Sequence, residues 1–372
     1  MGIKQLMHLI NEKASAAVRK MPIERYSGQI VACDASMAIY QFIAATQYSS
    51  HTNNNYVQLT DADGNLTAHL VGLLNRTILF LEHHIKPVWV FDGKPPTLKE
   101  GELKRRKAAK EEAKEQMDMA KEEGKTEEIE KFGKRNLRVT PEMMEDAKFL
   151  IRALGVPVVE APSEAEAQCA AMVKAGKAHA VGSEDMDSLT FGANYLLRGF
   201  NSKKEPITEI SYKDVLEGLG LSSEQFIDMC ILLGCDYTEH IEGVGPATGY
   251  NLIKQHENID VAVEAIKENK KYRIPEHFDY LAAKGLFLDP EVNTDLELNW
   301  TSCNETELTE FLVEKKGFSA KRVEDAIAKL KKSHGKPAQM VLENFFGKAV
   351  ITKRKVSEVK PMKKTSQRKS KK

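Results

Sequence analysis

Seven acidic residues carry the chemistry that this sequence can do: Asp34, Asp92, Glu164, Glu166, Asp185, Asp187 and Asp236. Asp34 follows the apolar run Gly28–Cys33, and Asp92 follows Lys86–Phe91. Asp185 and Asp187 come just after the short apolar stretch Ala178–Val181. Glu164 and Glu166 open an alanine-rich helical run that continues to Lys174, and Asp236 ends another helix. Taken singly, such acids read as solvated turns or as first-turn complements of a helix dipole. Their repeated placement sets them apart, because parallel strands of an α/β layer deliver their carboxyl ends to one edge. Seven carboxylates gathered there would repel one another and raise each other's pKa unless cations neutralise them. An all-oxygen set without His or Cys points to Mg²⁺ or Mn²⁺. Two such ions about 4 Å apart can activate a water and stabilise the leaving oxygen of a phosphodiester.

The elements that must position these acids follow from periodicity. Strands are expected at Gly28–Cys33, Lys86–Phe91, Ala178–Val181 and Tyr195–Phe200, and helices over Met37–Thr46, Thr67–His84 and Ser223–Leu233. Ser163 with Glu166 three residues on is a capping box, which predicts a helix start with Glu164 and Glu166 in its first turn. Residues 47–65 are polar and turn-rich. Residues 99–135 hold 12 Lys/Arg and 11 Asp/Glu, so 23 of 37 positions are charged. Pairs such as Glu127–Lys131 and Glu130–Lys134 suit a solvated helix, and the placement between two candidate acids favours a movable lid. Gly243-Val-Gly245-Pro246 lies between helices, where N–H groups of Val244, Gly245 and their neighbours can face a phosphate.

Composition narrows the class. The 372 residues are 42% hydrophobic and 29% charged, enough for a large α/β core. No apolar run is long enough to cross a bilayer, Met1–Ile10 does not read as a signal peptide, and Leu6 stands where a myristoylation start needs Ser or Thr. The five cysteines are scattered without a C-x-x-C pair, as in a reducing compartment. The chain has 54 basic and 54 acidic residues. Residues 351–372 contain 10 Lys/Arg and one Glu (+9), leaving 44 basic and 53 acidic residues (−9) in the rest. A basic tail on an acidic body suits a polyanion or a targeting role for the tail, and divalent cations in the body.

Over roughly residues 1–347 the sequence resembles the flap endonucleases, XPG-like structure-specific 5′ nucleases. The resemblance rests on MGIKQL, VACDAS around Asp34, VFDGKPP around Asp92, APSEAEAQCA around Glu164 and Glu166, SEDMDSLTFG around Asp185 and Asp187, LLGCDY around Asp236, and GVGP. It implies an α/β fold with a mostly parallel central sheet flanked by helices, a helical arch and a helix–two-turn–helix module. The corresponding regions are 1–105 and 139–260 for the nuclease, 106–138 for the arch, 261–335 for a C-terminal helical part, 336–347 for a clamp-binding peptide and 348–372 for a basic tail. The implied activity is Mg²⁺-dependent removal of 5′ flaps, with 5′→3′ exonuclease activity, in Okazaki fragment maturation and base excision repair.

Residue by residue, the resemblance gives Asp34, Asp92, Glu164 and Glu166 to a first metal ion and Asp185, Asp187 and Asp236 to a second. Mg²⁺ is the implied ion, with Mn²⁺ a substitute. Lys99 and Arg106 match a basic pair on the scissile phosphate, and Tyr40 matches an aromatic residue that stacks on the adjacent base. Gly2 matches a start that lies near the site. DNA contacts are implied at Arg76, Glu164, Gly234, Asp236, Gln47, Gly243 and Gly245. Gln47 and Leu79 stand where the family has Arg, and Ala247-Thr248 where it has Lys-Arg. His240 replaces a Ser that helps hold K⁺ at the helix–two-turn–helix. Gln339, Leu342, Phe345 and Phe346 resemble the peptide that binds the sliding clamp (PCNA). A monomeric enzyme on a trimeric clamp, acting on flap and nicked DNA without a membrane, is implied. The location implied is the nucleus, with nucleolus and mitochondrion as further sites, and the tail's basic clusters read as import signals or nonspecific DNA contacts.

Overall fold

The computed structural model describes residues 2–46, 48–49, 56–57, 59–61, 64–200 and 206–334. The first elements are α1 (Leu6–Lys13), β1 (Val18–Met21), β2 (Ile30–Asp34), α2 (Ala35–Thr46), the two-residue strands β3 (Tyr48–Ser49) and β4 (Tyr56–Val57), α3 (Ala68–Glu82) and β5 (Lys86–Phe91). Then come α4 (Glu100–Glu122), α5 (Thr126–Arg135), α6 (Pro141–Ala153), β6 (Val158–Glu160), α7 (Ala165–Lys174), β7 (Ala180–Gly182), the short α8 (Asp187–Thr190), β8 (Tyr195–Arg198) and β9 (Ile207–Ser211). The remaining helices are α9 (Tyr212–Leu219), α10 (Ser223–Leu233), α11 (Pro246–His256), α12 (Ile259–Lys267), α13 (Tyr280–Leu288), α14 (Glu305–Thr309) and α15 (Ala320–His334).

Seven strands form one sheet in the order β1-β9-β8-β7-β2-β5-β6. From β8 to β6 every pairing is parallel, with Asp34 opposite Val90 and Cys33 opposite Gly182. The antiparallel strands β9 and β1 close the other edge. The chain runs outward from β2 to β5 and β6, then returns to build β7 and β8 on the opposite side. The strand order therefore reverses between β2 and β7, and ligands of open α/β sheets bind in the crevice at such a point.

Helices cover both faces, as parallel strands require. Alternation along the strands sorts the core: Ala32, Val88, Val90 and Val181 pack with α1, α7 and α10, whereas Val31, Cys33, Trp89 and Phe91 pack with α2, α3, α6 and α15. The charged segment is a helical pair, α4 and α5, that buries Ala113, Ala120 and Ile129 and leaves most of its charged positions exposed.

Several sequence expectations shift. The strand expected at Ala178–Val181 is Ala180–Gly182, and the one expected at Tyr195–Phe200 ends at Arg198. Asp34 is the last residue of its strand, and the helix after it begins at Ala35. The capping box does not form. Glu164 occupies the N-cap of α7 without a side-chain cap bond, so only Glu166 lies in the first turn. The reason is tertiary: Asp92 Oδ1 accepts the Ala165 N–H at 2.8 Å, and the Gly93 N–H donates to the Ser163 carbonyl at 2.7 Å. Gln47, Gln339, Leu342, Phe345, Phe346 and the basic tail lie outside the described residues.

Candidate active site

The acids meet at the carboxyl edge of the parallel strands. Asp34 leaves β2 with its carboxylate buried, where Oδ1 accepts the Met37 N–H at 2.9 Å and Oδ2 accepts from Ser183 Oγ at 3.3 Å. Ser183 in turn accepts the Asp185 N–H at 3.0 Å, so this hydroxyl ties β2 to the loop after β7. Asp185 Oδ1 accepts the Asp187 N–H at 3.2 Å, and Asp187 Oδ1 accepts the Ile3 N–H at 2.7 Å. The N-terminal segment is thus pinned onto the Asp185–Asp187 loop. Gly2 there has φ +76°, and a Cβ added to it would stand 1.9 Å from Asp185 Oδ1. Gly93 answers to the same crowding, since a Cβ on it would lie 2.0 Å from the Ala161 carbonyl oxygen.

Electrostatics show that these groups form one cluster. Burial, with the charges of Asp92 and Asp185 beside it, pushes the Asp34 carboxyl up to about 8. Burial raises Glu166 well above the ordinary range, helped by Asp34 and Asp92, and it does the same to Asp187, helped by Asp185 and Asp236. Glu164 is raised by burial, against the pull of Lys99. Two side chains from the base of α4 supply positive charge. Lys99 Nζ sits on Glu164 and lies 3.4 Å from Asp236, while Arg106 reaches Asp236 at 2.6 Å and Glu102 at 2.7 Å. Burial opposes charging of Lys99, but Glu166, Glu164 and Asp236 outweigh it and raise its pKa.

The donor chemistry fits hard divalent cations. The seven groups are all carboxylates, and the three with the strongest upward pull are raised by burial and by their acidic neighbours, which bound cations would relieve. As they stand, no three acidic, His or Cys side chains among the described residues meet in the spacing of a closed metal shell. Lys99 and Arg106 supply the counter-charge at Glu164 and Asp236.

The other expected site residues are placed as follows. Tyr40 lines a cavity of about 670 Å³ between α2 and the α4–α5 pair, together with Lys107, Lys110, Arg135 and Arg138, and Lys110 Nζ lies 5.4 Å from the centre of its ring. Arg76 is half-buried beside Asp34 and Glu184, with its guanidinium 5.0 Å from the centre of the Phe42 ring. Leu79 is core, so the position carries neither charge nor access. Gly234 ends α10, and Gly245 is the N-cap of α11. At Gly243–Pro246 the Val244 N–H is not open to a phosphate, because it donates to the Ile241 carbonyl at 3.2 Å. Sequence reasoning missed Ser183, Glu102 and Ile3 as supports. Of these only Ser183, inside the SEDMDSLTFG stretch, stood beside residues already singled out.

Comparison with known proteins places this geometry. The chain matches the XPG N-terminal domain over residues 1–113 and the XPG I-region over residues 155–236. It is 49% identical over 356 residues to flap endonuclease 1 of Tetrahymena thermophila, covering 93% of this chain and 92% of that protein. With flap endonuclease 1 of Candida albicans the identity is 45% over 378 residues, covering 100% of both. Among solved structures, flap endonuclease-1 of Methanococcus jannaschii superposes with a TM-score of 0.66 at 33% identity, covering 85% of this chain and 96% of that one. The catalytic core of Rad2 in complex with DNA substrate gives 0.66 at 23% identity over 86% and 98% of the two chains, a likeness of fold.

Proposed function

The chain belongs to the flap endonucleases of the XPG family, and on that premise we propose that it hydrolyses the phosphodiester at the base of 5′ single-stranded flaps in DNA, using bound divalent metal. The observation that carries the reading is the carboxylate cluster at the strand-order reversal, with Asp34, Glu164, Asp185 and Asp187 buried and Lys99 and Arg106 beside it. Asp34, Asp92, Glu164 and Glu166 would hold one Mg²⁺ or Mn²⁺, and Asp185, Asp187 and Asp236 a second. Such ions, when bound, lower the pKa of an attacking water and stabilise the leaving oxygen. Ser183 and the Ile3 N–H fix the carboxylates of Asp34 and Asp187 in place. Lys99 and Arg106 stand where fixed positive charge can meet the charge that develops on the phosphate. The Tyr40 ring gives the adjacent base a stacking surface, and the basic wall of the cavity under α4 and α5 suits a single strand.

The family resemblance supports the finer parts of the reading. These are flap removal in replication and base excision repair, 5′→3′ exonuclease activity, action in the nucleus, nucleolus and mitochondrion, and binding of one enzyme to a trimeric sliding clamp through Gln339, Leu342, Phe345 and Phe346. At the α10–α11 turn His240 takes the place that the resemblance gives to a serine at a K⁺ site. The test incubates the protein with Mg²⁺ and end-labelled flap, nicked and bubble DNA and maps the products. A cut at the flap junction, absent in EDTA, is expected. Bubble cleavage without flap cleavage would assign the chain a different substrate.

A further inference from the structure

The first two turns of α4 carry two acids, Glu100 and Glu102, and three cations, Lys104, Arg105 and Arg106. A carboxylate is favoured at a helix start, and partners three and four residues on share its face. The two acids use this geometry differently. Glu100 meets Lys104 at 3.9 Å with both side chains largely exposed, an ordinary solvated pair. The Glu102 side chain is only 13% exposed and takes both arginines at once. Its Oε1 accepts the Arg106 Nε–H at 2.7 Å, and its Oε2 pairs with Arg105.

Glu102 stands in the wall of a cleft of about 1220 Å³ that also holds Asp236. In a protein that takes DNA past Asp236, a half-buried carboxylate there repels the polyanion and lowers affinity. What it does to Arg106 accounts for its position. Arg106 is held at two points, by Nε on Glu102 and by Nη2 on Asp236 at 2.6 Å. A guanidinium is planar, with its donors in a fixed fork. Tying Nε therefore sets the direction of the Nη edge and leaves that edge for a phosphate. The two acids on Arg106 are not equivalent. Asp236 belongs to the carboxylates expected to hold metal, and Glu102 does not. Glu102 is thus the partner free to stay with the guanidinium when Asp236 is taken. Lys99 has no such second partner, since Glu164 and Asp236 both belong to the metal set.

We propose that Glu102 is a positioning residue for phosphodiester cleavage, holding Arg106 by Nε so that its Nη edge faces the scissile phosphate. The role rests on the nuclease reading above. It carries a signature of its own, because the carboxylate that aims Arg106 also repels the DNA backbone. Its loss slows cleavage without weakening binding. A pair that served only the helix would move stability and leave both quantities alone.

The test compares Glu102→Ala, Glu102→Gln and Glu100→Ala with the wild-type full chain on 5′-flap DNA. Single-turnover cleavage is followed with Mg²⁺ at saturating protein, and flap affinity is measured in EDTA. Glu102→Ala should cut about 10- to 100-fold more slowly, the effect of a misplaced charged donor, yet bind flap DNA at least as tightly. Glu102→Gln keeps an oxygen acceptor for the Nε–H and should recover most of the rate. Glu100→Ala removes an acid from the same turn without touching Arg106 and should cut like wild type. In an Arg106→Ala background, Glu102→Ala should add no further loss, since the two residues act as one. Thermal unfolding of each variant removes any loss due to instability. A wild-type rate for Glu102→Ala, an equal loss in Glu100→Ala, or a full further loss without Arg106 would overturn the positioning role while the nuclease reading stands. Failure of the wild-type chain to cut flap DNA overturns the nuclease reading and the positioning role with it.

Discussion

At the scale of single residues, Lys99 is the side chain with two allegiances. It neutralises Glu164 and Asp236 as the structure stands, yet those two carboxylates are also proposed to hold metal. A fixed unit charge near a divalent ion repels it by a few kcal/mol at an effective dielectric of about 20. Lys99→Met should therefore tighten Mg²⁺ binding to the DNA-free protein by about tenfold, ~1.4 kcal/mol, while lowering the cleavage rate. Isothermal titration of both proteins with Mg²⁺ decides this, and equal or weaker binding by the variant would show that Lys99 does not compete with metal. Gly2 illustrates the opposite kind of residue, since it acts by lacking a side chain. Gly2→Ala must displace either the N-terminal segment or the carboxylates of both Asp185 and Asp187, whose oxygens would stand 1.9 and 2.4 Å from the new Cβ. Single-turnover cleavage should drop with it, and an unaffected rate would mean that the segment does not support the carboxylate.

At the scale of elements, the α10–α11 turn has Ala247 and Thr248, and so no cation, directly after Pro246. Ala247 is exposed and Thr248 half-buried in the first turn of α11, where N–H groups have no intrahelical partner. Ala247→Lys with Thr248→Arg should steepen the salt slope of duplex binding by about 1 to 2 and tighten binding at low salt. An unchanged slope would place this turn away from the duplex. Much of the architecture around it was legible in the sequence for local reasons. The runs Gly28–Cys33 and Lys86–Phe91 are apolar because both faces of a parallel sheet are covered, and the helix expected at Ser223–Leu233 is α10. What was not legible is tertiary. Asp92 reaches the start of α7 from another strand and displaces the local signal at Ser163. Strands β1 and β9, VRKM and ITEIS, mix charge with apolar residues as edge partners and so show no buried-strand run. The acids themselves were readable in sequence, but their coupling through Ser183, Ile3 and Lys99 arises only once the sheet has brought them together.

At the scale of the whole molecule, a cluster of buried acids sets how stability depends on pH. Asp34, Glu166 and Asp187 hold protons more tightly folded than unfolded, so the folded state binds more protons and loses stability as pH rises above about 4, for Asp34 through about 8. His69 works the other way. Its ring is buried without partners and its pKa is lowered to about 4, so it costs stability only as pH falls below about 6.5. Between pH 7 and 8.5 the acids dominate, and the buried thiols of Cys33, Cys169 and Cys230, raised by burial, begin to act in the same direction at its upper end. The thermal midpoint in EDTA should fall across that window, and Mg²⁺ should restore more of it at pH 8.5 than at pH 7. A midpoint that rises with pH in EDTA would deny the clustered burial. The central claim, that this edge of the sheet is a metal-dependent flap nuclease, is met most directly by Asp185→Ala assayed on 5′-flap DNA over a Mg²⁺ series, with binding followed in parallel. Asp185 lies buried inside the carboxylate cluster, so flap affinity should stay close to wild type. Its cleavage rate should fall by more than the roughly 10–100-fold that loss of an outer partner of a metal ligand costs. Near wild-type cleavage by Asp185→Ala at saturating Mg²⁺ would contradict the account.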